Sequence, residues 1–275
     1  MVANFMFPPA GFGPGSQPGA EEGEDLAYLA MPSGMRVFEP HTPMVDDPQA
    51  VAVAAGVLAD LAKDAEGWTP GFATIRRDIA DLDKANRAVV ADAMGEGEVA
   101  IAIRGARKID IQESVFAGVW RVAENGAEHI EIGAIPTVVL GSASDAVPEP
   151  PLPGPGVVNA PAILTEVLDH AGRPGEGNPP HVVNLTLLPH TPEDLDHLDR
   201  ALGRGAVTIL SRGYGNCRIE QTARANVWRV RYYNSQDALI LDSIEITTVP
   251  EVALAAPEDI ADSAERLAEV AEALT

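Results

Sequence analysis

Apolar residues recur every three to four positions in two stretches of the chain, 49–63 with Val57, Leu58 and Leu61, and 160–171 with Ile163, Leu164 and Val167. That spacing keeps one side of a helix apolar, so each stretch predicts a short amphipathic helix. Residues 182–188 read as a strand. A helix follows with a marked start: Thr191 as N-cap, Pro192 at the first position, then Glu193 and Asp194 against the positive end of the helix dipole. Asp83 takes the equivalent cap earlier in the chain, and Gly95 and Gly203 end these two helices, where a left-handed residue is favoured. Alternation of period two then predicts strands at 98–104, 109–116, 118–123 and 128–135, and again at 206–212, 216–223, 226–233 and 239–248. Asn125-Gly126 is a hairpin turn, and Asn234-Ser235-Gln236-Asp237 fills the same place with a longer loop. The closing helix runs from Pro257 to about Leu274, with Ile260, Ala264, Leu267, Ala271 and Leu274 as its apolar stripe and an acidic opposite face.

The two sets of elements align as copies. Placing Gly97 on Gly205, an offset of 108, matches residues 97–122 to 205–230 without a gap, and 11 of those 26 positions are identical. They include Ile101, Arg104, Gly105, Ile111 and the run Val119-Trp120-Arg121-Val122. Past Val122 the second copy is longer by six residues before Ile130, Ile132 and Pro136 meet Ile244, Ile246 and Pro250. An internal duplication follows. The expected fold is α+β: two tandem repeats, 49–146 and 160–275, each a mostly antiparallel sheet with two helices, related by a pseudo-twofold axis. Residues 147–159 carry a Pro-rich linker, and 1–48 form an extended Pro/Gly-rich arm whose Phe5, Phe7 and Phe12 suit docking better than solvation.

Charge narrows the possible partners. Asp+Glu number 41 against 19 Lys+Arg, a formal charge of −22, which repels nucleic acid and anionic lipid. The single cysteine, Cys217, excludes a disulfide within the chain, a Cys-rich zinc site and a Cys-ligated cluster. The first positive side chain is Arg36, unlike the basic start of a signal peptide, and no run of about 18 apolar residues suggests membrane insertion. The expected location is the cytoplasm.

Several segments carry a family likeness. They are Gly95-Glu96-Gly97-Glu98-Val99, Ile111-Gln112-Glu113, Gly118-Val119-Trp120-Arg121-Val122 and Asn184-Leu185-Thr186-Leu187-Leu188-Pro189. The longest is Ser211-Arg212-Gly213-Tyr214-Gly215-Asn216-Cys217-Arg218-Ile219, continued by Asn226-Val227-Trp228-Arg229-Val230-Arg231-Tyr232-Tyr233-Asn234. With Val249-Pro250-Glu251-Val252-Ala253 and Glu258 through Leu267, the chain resembles the hydrogenase expression/formation family HupH/HyaF over about residues 45–275. The resemblance implies a non-enzymatic accessory protein for maturation of uptake [NiFe]-hydrogenases. It implies a chaperone that holds the small-subunit precursor before twin-arginine export, in company with other maturation proteins. It supplies no catalytic residue, metal site or cofactor.

Candidate contact residues come from the side chains themselves. Trp120 and Trp228 open the same Trp-Arg-Val, and read either as symmetric core anchors or, with Arg229, as interface hot spots. Residues 200–231 hold seven Arg and one acid, Glu220, so Arg212, Arg218, Arg229 and Arg231 form a basic strip that is either neutralised or a dock for a carboxylate-rich surface. Gly213-Tyr214-Gly215 lacks the third glycine of a dinucleotide loop and reads as a tight turn with Tyr214 at its tip. Cys217 occupies the slot of Ile109 in the first copy and reads as a core thiol; redox or metal handling through it is the competing reading. The six His show no zinc-protease pairing, and His190 and His197 are expected at the surface. On the closing helix, Glu265, Glu269 and Glu272 read as solubilising charge or as an attractor for a basic precursor segment.

Overall fold

The computed structural model describes residues 41–45, 47–71, 73–142, 147–172, 180–213 and 215–275. The expected arm therefore falls mostly outside the described residues. A 3-10 turn, Pro48–Val51, is capped by the Asp47 side chain, which accepts from the Gln49 N–H, and leads into α1 (Ala52–Gly67). After β1 (Ile75–Asp78), Asp83 caps α2 (Lys84–Met94) by accepting from the N–H groups of Ala85 and Asn86. A meander follows: β2 (Val99–Ile103), β3 (Ile109–Glu113), β4 (Val119–Glu124) and β5 (Ala127–Ile132), then a single turn α3 (Thr137–Leu140).

The second half runs α4 (Ala160–Ala171), β6 (His181–Asn184), α5 (Pro192–Leu202), β7 (Val207–Ser211), β8 (Asn216–Gln221), β9 (Val227–Tyr233), β10 (Leu239–Ile246) and α6 (Pro257–Ala273). At α5 the capping box is complete: the Thr191 hydroxyl accepts from the Asp194 N–H, and the Asp194 carboxylate accepts from the Thr191 N–H. Gly95 and Gly203 sit at φ 53° and 67°, a region without the Cβ penalty that other residues meet. Among the described residues no helix is long and apolar enough to cross a membrane.

The fold is α+β, a mixture of helices and antiparallel sheet. The ten strands form one continuous sheet rather than two, in the order β1-β5-β4-β3-β2-β7-β8-β9-β10-β6, with every pair antiparallel. The halves meet where β2 pairs with β7. Ile101 faces Ile209, Val99 faces Ser211, and Ile103 faces Val207. Antiparallel partners share a face, so a buried row crosses six strands as Val122, Ile111, Ile101, Ile209, Ile219 and Val230. That row belongs to the main core, which draws on both halves and on α1, α2 and α6. A smaller core lies between α4, α5 and the outer strands of the second half.

Two buried polar side chains tie helices together. Asn86 accepts from the Ala54 N–H at 2.8 Å, fixing the start of α1 on α2. Asp194, 108 residues later, accepts from the N–H groups of Val158, Asn159 and Ala160 at 2.8, 2.9 and 2.9 Å, fixing the start of α4 on α5. Burial opposes the charge of Asp194, yet these four backbone donors, Thr191 included, hold its carboxyl well below the usual range.

Two local expectations are corrected, and a third element is found short. The strand expected at 182–188 ends at Asn184, and Leu185–Leu187 form a 3-10 turn. There the Thr186 hydroxyl takes the Asp242 N–H at 2.8 Å, a donor that a continued β6 backbone would otherwise claim. The strand that the repeat expects before α2 is found as the short β1, less legible than its counterpart because Arg76, Arg77 and Asp78 are all exposed and leave no apolar alternation. His197 is buried rather than at the surface, since α5 turns it inward beside Leu198.

Candidate functional site

The two halves differ most in the second half of the sheet, where β9 and β10 form the longer hairpin. Its loop is built by Asn234, whose side-chain oxygen accepts from the N–H groups of Gln236 and Ala238 at 2.9 and 3.0 Å, with Asp237 at φ 56°. The β7–β8 turn lies alongside: Asn216 pairs with Tyr233, and its amide donates to Asp237 at 3.4 Å. Pairing of β10 with β9 shifts between Leu239 and Leu241, which pushes Ile240 out of the ladder to 57% exposure. Because β6 ends early, Leu187 and Leu188 sit beside this hairpin, Leu187 at 80% exposure. Leu187, Leu188, Leu239 and Ile240 are thus all exposed at the end of the sheet where β6 stops and β10 begins, the positions of an apolar patch.

Arginines border the patch. The register puts Leu210, Arg218 and Arg231 in one row on the same sheet face, and Arg212 follows β7 into the turn. Leu210, Arg212 and Arg218 are exposed and Arg231 is half-buried. Arg218 and Arg231 each hold one oxygen of Glu220, Arg218 at 2.8 Å. The strip is therefore less basic than its sequence window. Arg229 is buried and clasps Asp242 with two donors while also reaching Asp199 at 3.3 Å, and Arg200 pairs with Asp196. Those acids lie outside residues 200–231, which is why counting within the window missed them.

Two candidate contacts are corrected by burial. Trp228 is only 1% exposed and Arg229 is closed into its ion pairs, so neither is presented to a partner. Trp228 instead matches Trp120: its Nε1–H donates to the Thr247 carbonyl at 3.2 Å, as Trp120 donates to Gly133 at 2.9 Å. Tyr214 lies outside the described residues. Glu265, Glu269 and Glu272 are exposed on α6, which packs against α1 and not at the hairpin end.

Reactive chemistry is poorly provided for. Burial pushes the Cys217 thiol up to about 11, and a hydrogen bond with Tyr232 offsets only part of that shift. A thiol held there has almost no thiolate at neutral pH. Among the described residues no group of three or more His, Cys, Asp or Glu is placed to hold a metal. The buried acid of greatest interest is Glu113, raised by burial to about 7 while its Oε1 accepts from the Gly118 N–H. Its counterpart in the second half is the neutral Gln221.

Comparison with known proteins adds context to this geometry. The profile of the family described as HupH hydrogenase expression protein, C-terminal conserved region, matches residues 51–147 and again 157–274. The chain is 54% identical over 279 residues to the hydrogenase expression/formation protein HupH of Rhodobacter capsulatus, with 100% of each covered. It is 45% identical to the hydrogenase expression/formation protein HoxQ of Cupriavidus necator over 97% of each chain. It is 32% identical to the hydrogenase-1 operon protein HyaF of Escherichia coli, covering 94% of this chain and 93% of that one. A solved structure of the hydrogenase expression protein HupH from Thiobacillus denitrificans overlaps 38% of this chain and 87% of its own, with a TM-score of 0.36 and 32% identity.

Proposed function

The chain belongs to the HupH family of hydrogenase expression/formation proteins, and from that premise we propose that it is a non-enzymatic chaperone for maturation of an uptake [NiFe]-hydrogenase. It acts in the cytoplasm by covering unassembled surface on the small-subunit precursor before export. The observation that carries this reading is the hairpin end of the second half, where Leu187, Leu188, Leu239 and Ile240 are exposed together beside Arg212 and Arg218. Apolar anchors rimmed by charge are the usual make-up of a protein-binding surface. The competing reading, redox or metal handling through Cys217, draws no support from a buried thiol pushed up to about 11.

The same proposal includes an internal duplication, with 49–146 and 160–275 as copies of one unit, joined by 147–159 and related by a twofold axis between β2 and β7. Its support is the pairing of Ile101 with Ile209, together with the recurrence of one family profile in both halves.

The test uses purified small-subunit precursor and the full-length chain. Precursor binds the wild-type chain, and Leu187→Asp with Ile240→Asp, both at exposed positions, weakens that binding at least tenfold without lowering the melting temperature. Failure of the wild-type chain to bind the precursor, or equal binding by the double variant, contradicts the proposal.

A further inference from the structure

A second surface lies away from the hairpin end. Between α1 and α6 runs a groove of about 900 Å³ whose floor is small and apolar: Ala55, Ala59 and Ala62 from one helix, and Ala264, Ala268 and Ala271 from the other. In the second turn of α1 stands Gly56, exposed, with nothing among the described residues within 4 Å of where a Cβ would project. A glycine inside a helix costs about 1 kcal/mol relative to alanine, and among the described residues no packing requires it here. Its use is to let another surface approach the α1 backbone closely.

The rim carries Glu66, Glu265 and Glu272 against a single base, Lys63. All four are exposed, and Lys63 is itself drawn to Asp60 on α1 at 3.5 Å. The mouth of the groove thus presents three glutamates around an apolar floor. α1 spans 16 residues, so the trough is roughly 24 Å long at about 1.5 Å per residue.

We infer that this groove binds an amphipathic helix of a partner protein, one that presents bulky aliphatic or aromatic side chains on one side and Lys or Arg along the flanks. The small floor leaves room for those side chains to seat between α1 and α6, as in helix-in-groove recognition. The glutamate rim selects basic over acidic flanks and speeds encounter with such a segment. The inference rests on the precursor reading only in expecting that helix to belong to the hydrogenase precursor.

The experiment titrates full-length chain with fluorescent 18-residue helical peptides: a Leu-faced peptide with Lys/Arg flanks, the same face with Glu flanks, and a scramble of the first. The basic amphipathic peptide binds, and the other two bind at least tenfold more weakly. Ala268→Trp, at an exposed helical position, fills the groove and weakens binding tenfold or more. Glu265→Lys with Glu272→Lys does the same, and raised salt weakens the wild-type complex. Absence of binding by the basic peptide overturns the inference, as does binding unchanged by both sets of substitutions. The charge-reversed pair keeps the test decisive if Ala268→Trp folds poorly. Precursor capture, measured alongside, separates the two readings. Wild-type precursor capture by an Ala268→Trp chain that has lost the peptide supports the groove, assigns its helix to a partner other than the precursor and leaves the precursor reading standing. Peptide binding in the groove without any precursor capture supports the groove and removes the precursor reading.

Discussion

Ile101 and Ile209, 108 residues apart in the chain, face each other at the centre of the β2–β7 pair. On either side of them the Arg104 N–H donates to the Ala206 carbonyl, and the Arg212 N–H to the Glu98 carbonyl, at 2.9 and 3.1 Å. The junction is thus a full strand pair inside a shared core and not a linker contact. Ile209→Ala is expected to cost about 3 kcal/mol, the usual toll of a cavity at a buried aliphatic position. The loss will fall on the whole molecule as one transition. Urea unfolding followed by tryptophan fluorescence and by far-UV circular dichroism tests this; two separated transitions would show that the halves melt independently.

Glu113 makes stability depend on pH near neutrality. Its folded pKa of about 7 lies above its ordinary value of 4.5, so the folded state binds the extra proton between those limits. Stability therefore falls as pH rises from about 4.5 to 7 and stays lower above that. Glu113→Gln copies the neutral Gln221 of the other half. It is expected to raise stability at pH 8 by up to about 3 kcal/mol while leaving pH 5 nearly unchanged. Melting curves of both chains at the two pH values check the sign; a Gln variant less stable at pH 8 contradicts it.

Asp194 behaves in the opposite sense. Its folded carboxyl is held below the ordinary value by backbone donors, so its contribution is present above about pH 4 and is lost as the pH falls toward the folded value. Asp194→Ala abandons three N–H groups at the start of α4 as well as the Thr191 N–H in the α5 capping box, and is expected to cost about 3 kcal/mol at pH 7. Asp194→Asn, which places at this point the residue type of Asn86, is expected to cost less than half as much. Chemical denaturation at pH 7 ranks the three chains, and equal losses for Ala and Asn would refute the clamp.

Cys217 should be silent in the native protein. With its thiol near 11, labelling by a maleimide or a disulfide reagent at pH 7.5 is expected to be at least a hundredfold slower than in denaturant. Cys217→Val, which brings an apolar residue to the slot that Ile109 fills in the other half, is expected to leave hydrogenase maturation intact. Loss of maturation by a folded Cys217→Val chain would restore the redox reading.

Locally encoded features were legible in the sequence. Asp83, Thr191, Gly95 and Gly203 act within one turn of their own positions, and strand alternation reports directly which side chains are buried. What escaped depended on partners distant along the chain. The neutralisation of Arg229 needs Asp242, 13 residues away across a strand pair, and Asp199, 30 residues away on α5. Trp228 and Arg229 are neighbours in a motif but point to opposite faces, and both are closed by neighbours that the motif does not contain. The early end of β6 turns on one hydroxyl, Thr186, reaching the Asp242 N–H. The exposed patch at the hairpin end was hidden for the same reason, since Leu187 and Leu188 read as strand interior until the strand stops short of them.

The longer hairpin has a consequence for stoichiometry. A scaffold whose halves are near-equivalent offers each docking place twice and would take two partners, one at either end. Here the extra residues, the outward Ile240 and the neighbouring Leu187 exist at one end alone, and the matching position in the first half is the tight Asn125-Gly126 turn between Glu124 and Ala127. If partners dock at this end as proposed, one lengthened loop lowers the valency of the scaffold from two to one. It gives a front and a back to a sheet whose strand order has neither, so a partner docked at this end would meet the protein in a single orientation.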